Sequence, residues 1–307
     1  MSKLLVVFGA TGAQGGALIN HVLNDPDLAQ QYHLRGISRN MSQPAALELA
    51  SKGVELIQAD LSDPSSLSAA VQGAYAVFSV TNFWDSRSAT VEVSQGKAVA
   101  DAAFAANVTV MIFSSLPAVM KMTKGEITDM HHFDSKAEVE EYIRSLRFPV
   151  SVFYFAGWYM QNVWHPMSPK LEYHPDGSVV FPLPWSGEVQ IPWIDITDTG
   201  KYLAPALRDP QRFNGQRITA ASGYYSCQEI VDTWGKVSGR TVRLPSSDAE
   251  NRPSAIPAQN SYMIKHGYFG PDGPRAVALT HSQLLPQDRL TSWEEFLVRN
   301  GPWFQEG

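Results

Sequence analysis

Three glycines near the start of the chain have the spacing of a nucleotide-binding turn. An apolar run from Lys3 to Phe8 is followed by Gly9, Gly12 and Gly15, and then by an amphipathic stretch. The first glycine allows a tight turn, the second lets a pyrophosphate approach the backbone, and the third lets the helix pack close to the strand. The start of that helix would face the phosphate charge. An ordinary glycine-rich turn is the alternative, but the position between a strand and a helix favours a dinucleotide site.

A basic residue follows the second predicted strand, where dinucleotide-binding folds distinguish NAD from NADP. An acid at that place binds the ribose 2′-hydroxyl, whereas an arginine accommodates a 2′-phosphate. Here Arg39 follows the strand and no acid does, so NADP(H) is favoured and NAD would bind more weakly. Arg39 could instead be a solvated surface residue. The neutral residues at 40–43 would keep the preference for NADP modest.

The composition limits the class of protein. With 307 residues, the chain suits one large domain or two intimate ones. The net charge of -6, without long runs of one sign, argues against direct binding to nucleic acid or to an acidic membrane. The single cysteine, Cys227, excludes a disulfide framework and a cysteine-based zinc site, and no metal site is predicted. No signal peptide or membrane span is visible, so we expect a cytoplasmic protein, or a nuclear one if it is regulatory.

Strand-like and helix-like segments alternate through the first half. This alternation predicts a Rossmann-type, doubly wound parallel sheet over residues 1–155, which we expect to be the NADP(H)-binding domain. The predicted strands are Leu4–Phe8, His33–Ser38, Val54–Gln58, Ala76–Val80, Val108–Ser114 and Val150–Phe155. The predicted helices are Ala13–Leu23, Pro44–Ser51, Ser65–Val71, Ala89–Ala106 and Asp134–Leu146.

The second half is richer in proline and in clustered aromatic residues, and its pattern is less regular. Residues 156–307 predict a smaller, irregular α+β domain that caps the first domain, with residues 186–208 returning to the first. A substrate or partner site would then lie at the carboxyl ends of the strands. Predicted elements are strands at Val189–Pro192 and Arg217–Ala221 and helices at Cys227–Val237 and Ser292–Arg299.

The glycine pattern and several later segments resemble one family. Gly-Ala-Thr-Gly-x-x-Gly is similar to the turn of the extended and atypical short-chain dehydrogenase/reductases, and Gln14-Gly15-Gly16 narrows the resemblance to the NmrA-like branch. Residues 73–84 and the His-Phe-x-x-Lys-x-x-Val-Glu-Glu-Tyr segment at 132–142 resemble further parts of that family. The turn at 157–162 and the segment at 290–293 also match, so that the resemblance covers nearly the whole chain.

The resemblance implies which residues contact the cofactor. Asp60 and Leu61 match the turn that contacts adenine, although Asp60 could cap a helix, a role that Asp63 already fills. Thr81 and Asn82 would line the riboses. The residues expected to bind NADP(H) are Gly9, Thr11, Gly12, Gln14, Gly15, Arg39, Asp60, Leu61, Thr81, Asn82, Lys136, Phe155, Trp158 and Asn162.

The resemblance also places a catalytic group of His132, Lys136 and Ser115. Short-chain reductases use Tyr-x-x-x-Lys, in which the lysine binds the nicotinamide ribose and lowers the pKa of the proton-donating tyrosine. This chain keeps the lysine as Lys136 and has His132 at the tyrosine's place. His132 could act as an acid near neutral pH, or it could be a helix-start residue with no chemical role. Ser115, or Ser114 beside it, could polarise a substrate or cap the strand end.

Aromatic residues follow several strand ends or lie in the second half. They could line an apolar pocket for the nicotinamide and a flat substrate, or they could be core residues of the smaller domain. The residues concerned are Phe83, Trp84, Trp158, Tyr159, Trp164, Phe181, Trp185 and Trp193.

Two functions of different classes follow from the resemblance. The replacement of the tyrosine by His132 favours a redox-sensing regulator that couples NADP(H) state to association with a protein partner. The retained Lys136 and the aromatic residues favour an NADPH-dependent oxidoreductase that reduces a small carbonyl, quinone or imine. A regulatory protein or a small apolar molecule is therefore the expected partner, while the oligomeric state is not predicted.

Overall fold

The computed structural model describes residues 2–164, 170–183, 188–245 and 257–303. Their contacts form two compact units. Of the described residues, those within Met1–Ala156, Thr197–Ala220 and Ala278–Asp288 form the first unit, and those within Gly157–Ile196, Ala221–Val277 and Arg289–Gly307 form the second. Of the segment 186–208 expected to return to the first domain, residues 197–208 lie in the first unit and 188–196 in the second, while 186–187 lie outside the described residues.

The strands are short and are distributed over both units. They are β1 (Lys3–Val7), β2 (Tyr32–Ser38), β3 (Glu55–Gln58), β4 (Ala76–Ser79), β5 (Val110–Ser115), β6 (Val150–Ala156), β7 (Trp158–Tyr159), β8 (Glu172–Tyr173), β9 (Val179–Val180), β10 (Gln190–Ile194), β11 (Arg217–Ala220), β12 (Gly223–Ser226) and β13 (Val242–Arg243).

Helices alternate with strands in the first unit, and further helices lie in the second unit. They are α1 (Ala13–Asn24), α2 (Pro26–Gln31), α3 (Pro44–Ser51), α4 (Pro64–Val71), α5 (Phe83–Ser86), α6 (Ala89–Ala105), α7 (Val119–Met122), α8 (His131–Leu146), α9 (Thr199–Arg208), α10 (Cys227–Ser238), α11 (Pro257–His266), α12 (Gly273–His281) and α13 (Trp293–Asn300). Short 3₁₀ helices lie at Met160–Trp164, Ile196–Asp198 and Pro210–Phe213.

The first unit is built on a seven-stranded parallel sheet with the order β11-β6-β5-β4-β1-β2-β3. Every residue of β4, β5 and β6 is buried, as expected for strands covered on both faces by helices. The predicted doubly wound parallel sheet is therefore confirmed. The order reverses at β1, whose neighbours are β4 and β2, and the carboxyl ends of the strands on either side of such a reversal form a binding crevice.

The second unit combines helices with two small sheets, of order β12-β10-β7 and β13-β9-β8. Its core is aromatic: the ring of Trp293 lies 5.1 Å from Trp193 and 5.8 Å from Trp234, and all three side chains are buried. Helices α10 and α13 each begin with a serine and a glutamate that cap each other's backbone groups. Cys227, the first residue of α10, is also buried.

Helices α6 and α8 pack closely on one face of the sheet. A glycine makes this approach possible, because a Cβ on Gly96 would lie 2.6 Å from both methyl carbons of Val139. The first turns of these two closely packed helices carry Glu92 and His132. Among the described residues, none of the helices is both long and apolar enough to cross a membrane.

We expect Gly96→Ala to lower the free energy of unfolding by about 1–3 kcal/mol, because the added methyl group must push α6 away from Val139. Gly16→Ala is the matched control. Gly16 also lies within a helix, α1, but its added Cβ would meet the nearest atom, Ala10 O, at an ordinary distance of 3.4 Å. That control should be neutral or slightly stabilising. Urea unfolding of the three proteins measures the difference. A Gly96→Ala protein as stable as the control would show that this contact does not constrain the helices.

Candidate functional site

The glycine turn after β1 has the backbone geometry of a phosphate-binding turn. Gly9 has a φ of +68°, a left-handed conformation that favours glycine, and its carbonyl oxygen accepts from the Gly12 N–H at 2.9 Å. A Cβ on Gly15 would lie only 2.3 Å from that same carbonyl oxygen. The tight turn and the close packing of α1 predicted from the spacing are thus both present. Gly12 is exposed at the N-cap of α1, and the N-terminus of a helix attracts an anion.

Two further predicted cofactor residues are Thr11, within this turn, and Gln14, just after it. The Thr11 hydroxyl accepts from the Gln43 amide at 3.1 Å, and the same amide donates to the Ser38 hydroxyl at 2.9 Å. These bonds join the glycine turn to the end of β2. Gln14 lies half-buried in the first turn of α1.

Arg39 follows β2 and forms an ion pair with a residue that the sequence analysis did not identify. Its Nη1 lies 3.1 Å from Asp85 Oδ2, and the two side chains are 69% and 46% exposed. The other oxygen of Asp85 accepts from the Asn82 amide at 2.6 Å. Asn82 in turn caps α5 by accepting from the Trp84 N–H at 3.2 Å. The structure therefore brings together two predicted cofactor residues, Arg39 and Asn82, around one carboxylate.

The turn after β3 contains Asp60 and Leu61. One carboxylate oxygen of Asp60 accepts from the Ser62 N–H at 2.9 Å, which closes the turn. Asp63 caps α4 by accepting from the Ser65 N–H, so the helix cap is filled by the residue predicted for it. Leu61 is half-buried in this turn.

Lys136 lies at the centre of a buried network. Its ammonium donates to Glu92 Oε1 at 2.6 Å, to the Thr81 hydroxyl at 2.9 Å and to the Thr81 carbonyl at 2.8 Å. An ammonium has three donors, so these bonds use them all. Burial lowers the pKa of Lys136, while the charge of Glu92 opposes that shift.

Glu92 is a central residue of the site that the sequence analysis missed. Its side chain is completely buried and also accepts hydrogen bonds from the Thr81 and Ser135 hydroxyls. A signal was available, because Glu92 continues the buried face of α6 formed by Gly96, Val99 and Ala103. An acid on an otherwise apolar helix face requires a buried partner.

His132 occupies the first turn of α8 within a group of aromatic rings. Its ring centroid lies 4.9 Å from Phe133, 5.2 Å from Trp84 and 5.8 Å from Phe83. Burial in this group, together with the Lys136 charge, lowers the pKa of His132 to about 4, although Glu92 acts in the opposite direction. The imidazole is therefore neutral at pH 7 and does not hold a proton ready for transfer.

Two further predicted residues of the first unit are buried. The Ser115 hydroxyl donates to the backbone carbonyl of Lys136 at 3.3 Å and is 1% exposed as a residue. Phe155 lies within β6, and the Arg217 guanidinium lies 5.1 Å from its ring centroid. Both therefore have structural contacts within the first unit.

The last two predicted cofactor residues belong to the second unit. Trp158 lies in β7 and pairs in register with Trp193 of β10, while Asn162 lies in the 3₁₀ helix that follows. Beside it, the Gln161 amide donates to the buried Asp195 at 2.7 Å. Of the aromatic residues considered, Phe181 and Trp193 are buried in this unit, and Trp185 lies outside the described residues.

The lowered pKa of His132 predicts an acid-dependent loss of stability. Between about pH 4 and 6.5 the unfolded chain binds a proton at this site that the folded chain does not, so stability falls as the pH falls. We expect about 2 kcal/mol to be lost between pH 7 and pH 5 from this group, and His132→Phe should lack that part. Urea unfolding at both pH values, with NMR titration of the ring, tests this. A ring that titrates near 6.5 would contradict the prediction.

Comparison with known proteins supports the fold and identifies relatives. NmrA, named a negative transcriptional regulator and crystallised in complex with NADP, superposes with a TM-score of 0.82 at 25% identity, covering 97% of this chain and 95% of that chain. Among curated proteins, the oxidoreductase ptmS of Penicillium ochrochloron is 31% identical over an alignment of 256 residues, which covers 79% of this chain and 75% of ptmS.

A further relative is similar over almost the whole length. The oxidoreductase hkm9 of Aspergillus hancockii is 29% identical, covering 99% of this chain and 97% of hkm9. Both oxidoreductases are named as containing an NmrA-like family domain. Since the NmrA-like family model also matches residues 1–297, the chain belongs to the NmrA-like family.

Proposed function

We propose that this chain binds NADP(H) in its first unit and acts as a redox-sensing regulator, which changes its association with a protein partner according to NADP(H) state. The observation that carries the proposal is the state of residue 132. Where the reductase pattern requires a proton-donating tyrosine, this chain has the neutral, ring-packed His132. A nucleotide could bind beside it without an adjacent group that completes carbonyl reduction.

Nucleotide binding is supported by the turn after β1. The exposed N-cap at Gly12 and the start of α1 would hold the pyrophosphate, and Arg39 would hold the 2′-phosphate. NmrA, which shares this fold, was crystallised with NADP. When bound, the nicotinamide would supply or accept hydride, whereas the residues of this chain would orient and enclose it.

The hydrogen bonds of Lys136 limit the role that this residue could have in a reaction. To contact a ribose as the family pattern implies, the ammonium would have to exchange one of its bonds to Thr81 or Glu92 for a ribose hydroxyl. The Glu92 carboxylate would keep Lys136 charged and oriented during that exchange. A charged lysine held by a buried acid binds a ribose but does not itself donate the proton that a carbonyl oxygen needs.

A second candidate function is an NADPH-dependent oxidoreductase, as the relatives ptmS and hkm9 are named. The retained Lys136 favours it. Because His132 is neutral, the most suitable substrate of those predicted is a quinone, whose reduced anion takes its proton from water after hydride transfer. A small carbonyl or imine would depend more strongly on a protein acid.

We expect Gly12→Val to abolish NADP(H) binding while the protein stays folded, because the larger side chain occupies the space that the pyrophosphate needs. Gly16→Ala should keep wild-type affinity. Calorimetric titration with NADPH and NADP⁺ measures this, with circular dichroism as the control for folding. Affinity capture of partners should depend on NADP(H) state in the wild type and lose that dependence in Gly12→Val. Unchanged NADPH affinity in the variant would remove the assignment of the site.

Turnover separates the two functions. We expect the wild type to oxidise NADPH far more slowly than about 1 s⁻¹ with aldehydes, imines and quinones. His132→Ala should then change the rate of NADPH oxidation little. His132→Tyr could raise the rate of carbonyl reduction, because it restores the tyrosine–lysine pair of the reductases. His131→Ala is the matched control, because His131 is exposed beside it. Rapid wild-type turnover that falls about 10²–10⁴-fold in His132→Ala, but not in His131→Ala, would establish the enzyme and overturn the regulator.

A further inference from the structure

The ion pair of Arg39 and Asp85 lies across the predicted nucleotide turn. Strands β2 and β4 flank β1 on opposite sides, and the glycine turn follows β1. Arg39 comes directly after β2, and Asp85 lies in α5 after β4. The 3.1 Å contact between their side chains therefore joins the two segments that border the carboxyl end of β1.

Asp85 supplies an acid to a place where the sequence shows none. The end of β2 carries no acid of its own, which is why its sequence favours NADP. In the folded chain, however, the carboxylate of Asp85 reaches Arg39 from another strand end. It is held there at two points, since one oxygen contacts Arg39 and the other accepts from the Asn82 amide at 2.6 Å.

This arrangement has opposite consequences for the two nucleotides. A 2′-phosphate brings up to two negative charges to the Arg39 guanidinium, where it meets the Asp85 carboxylate as a competitor and as a like charge. NAD carries a neutral 2′-hydroxyl at that position. It neither competes for the guanidinium nor is repelled by the carboxylate, which can accept a hydrogen bond from a ribose hydroxyl.

We propose that Asp85 is a specificity-determining residue, whose carboxylate competes with the 2′-phosphate of NADP for Arg39 and so reduces the preference for NADP over NAD. The inference rests on the proposed nucleotide site. With NADP, the phosphate replaces Asp85 on the guanidinium. With NAD, the ion pair persists and leaves no unpaired charge at the ribose.

The test is a titration of the purified full chain with NADP⁺ and NAD⁺, in wild type and in Asp85→Asn. Asn keeps the size of the side chain, and the position is about half exposed, so folding is not at risk. We expect the ratio of NADP⁺ to NAD⁺ affinity to rise about three- to tenfold. Because both side chains are exposed, the rise should be larger at low ionic strength than at high.

Three further variants make the result specific. Asp85→Glu keeps the charge and should keep a ratio close to the wild-type one. Glu141→Gln removes a comparably exposed acid of α8, which pairs with Lys121 of α7, and it should leave the ratio unchanged. In an Arg39→Ala background, Asp85→Asn should change the ratio by less than about twofold, because the guanidinium for which the two anions compete is gone.

The outcomes separate this inference from the function on which it rests. If wild type binds the nucleotides and Asp85→Asn leaves the ratio unchanged or lowers it, Asp85 does not set specificity and the nucleotide site stands. An equal rise in Glu141→Gln would assign the effect to overall charge and would also overturn the inference. If wild type binds neither nucleotide, that result contradicts the proposed function and, with it, this inference.

Discussion

The buried ion pair of Lys136 and Glu92 is the interaction on which the arrangement of the site depends. It connects α6, α8 and the end of β4, since the ammonium bonds to both Glu92 and Thr81. Removing water from two charges is costly, and their attraction offsets that cost only when the remaining hydrogen bonds are satisfied. Here the hydroxyls of Thr81 and Ser135 satisfy the carboxylate. Loss of either charge alone would leave the other buried and unpaired, at a cost of about 3–5 kcal/mol.

This network also limits the chemistry around it. Burial among the surrounding rings, helped by the charge of Lys136, lowers the pKa of His132 and keeps it neutral, while the turn of α8 places the two residues on one face. A lysine whose donors are already bonded and a neutral imidazole, which lacks the acidic proton of the imidazolium, favour binding over general acid catalysis. In the proposed site, α8 thus keeps the lysine of the reductase pattern and has a histidine at the place of the proton-donating tyrosine, in a family that includes proteins named as a regulator and as oxidoreductases.

The sequence predicted the features that depend on local pattern. Strand periodicity and glycine spacing identified the parallel sheet, and the predicted β1, β2 and α3 agree with the structure to within a residue or so. Short helices such as α2 and α5 were missed, because four to six residues hold too little helical periodicity. Contacts made across the fold were also missed. Glu92 meets Lys136 44 residues later, and Asp85 meets Arg39 across β1, so neither partnership is visible until the strand order is known.

The position of Cys227 bears on how a redox signal could reach this protein. It is the single cysteine of the chain, and it is buried at the start of α10. Many redox-responsive proteins register oxidants by covalent change at an accessible thiol, which reductants must later reverse. For the proposed sensor that route is closed in the folded state. Its output would instead follow the reversible exchange of a bound molecule, graded by the cellular ratio of oxidised to reduced nucleotide and requiring no repair enzyme to reset it.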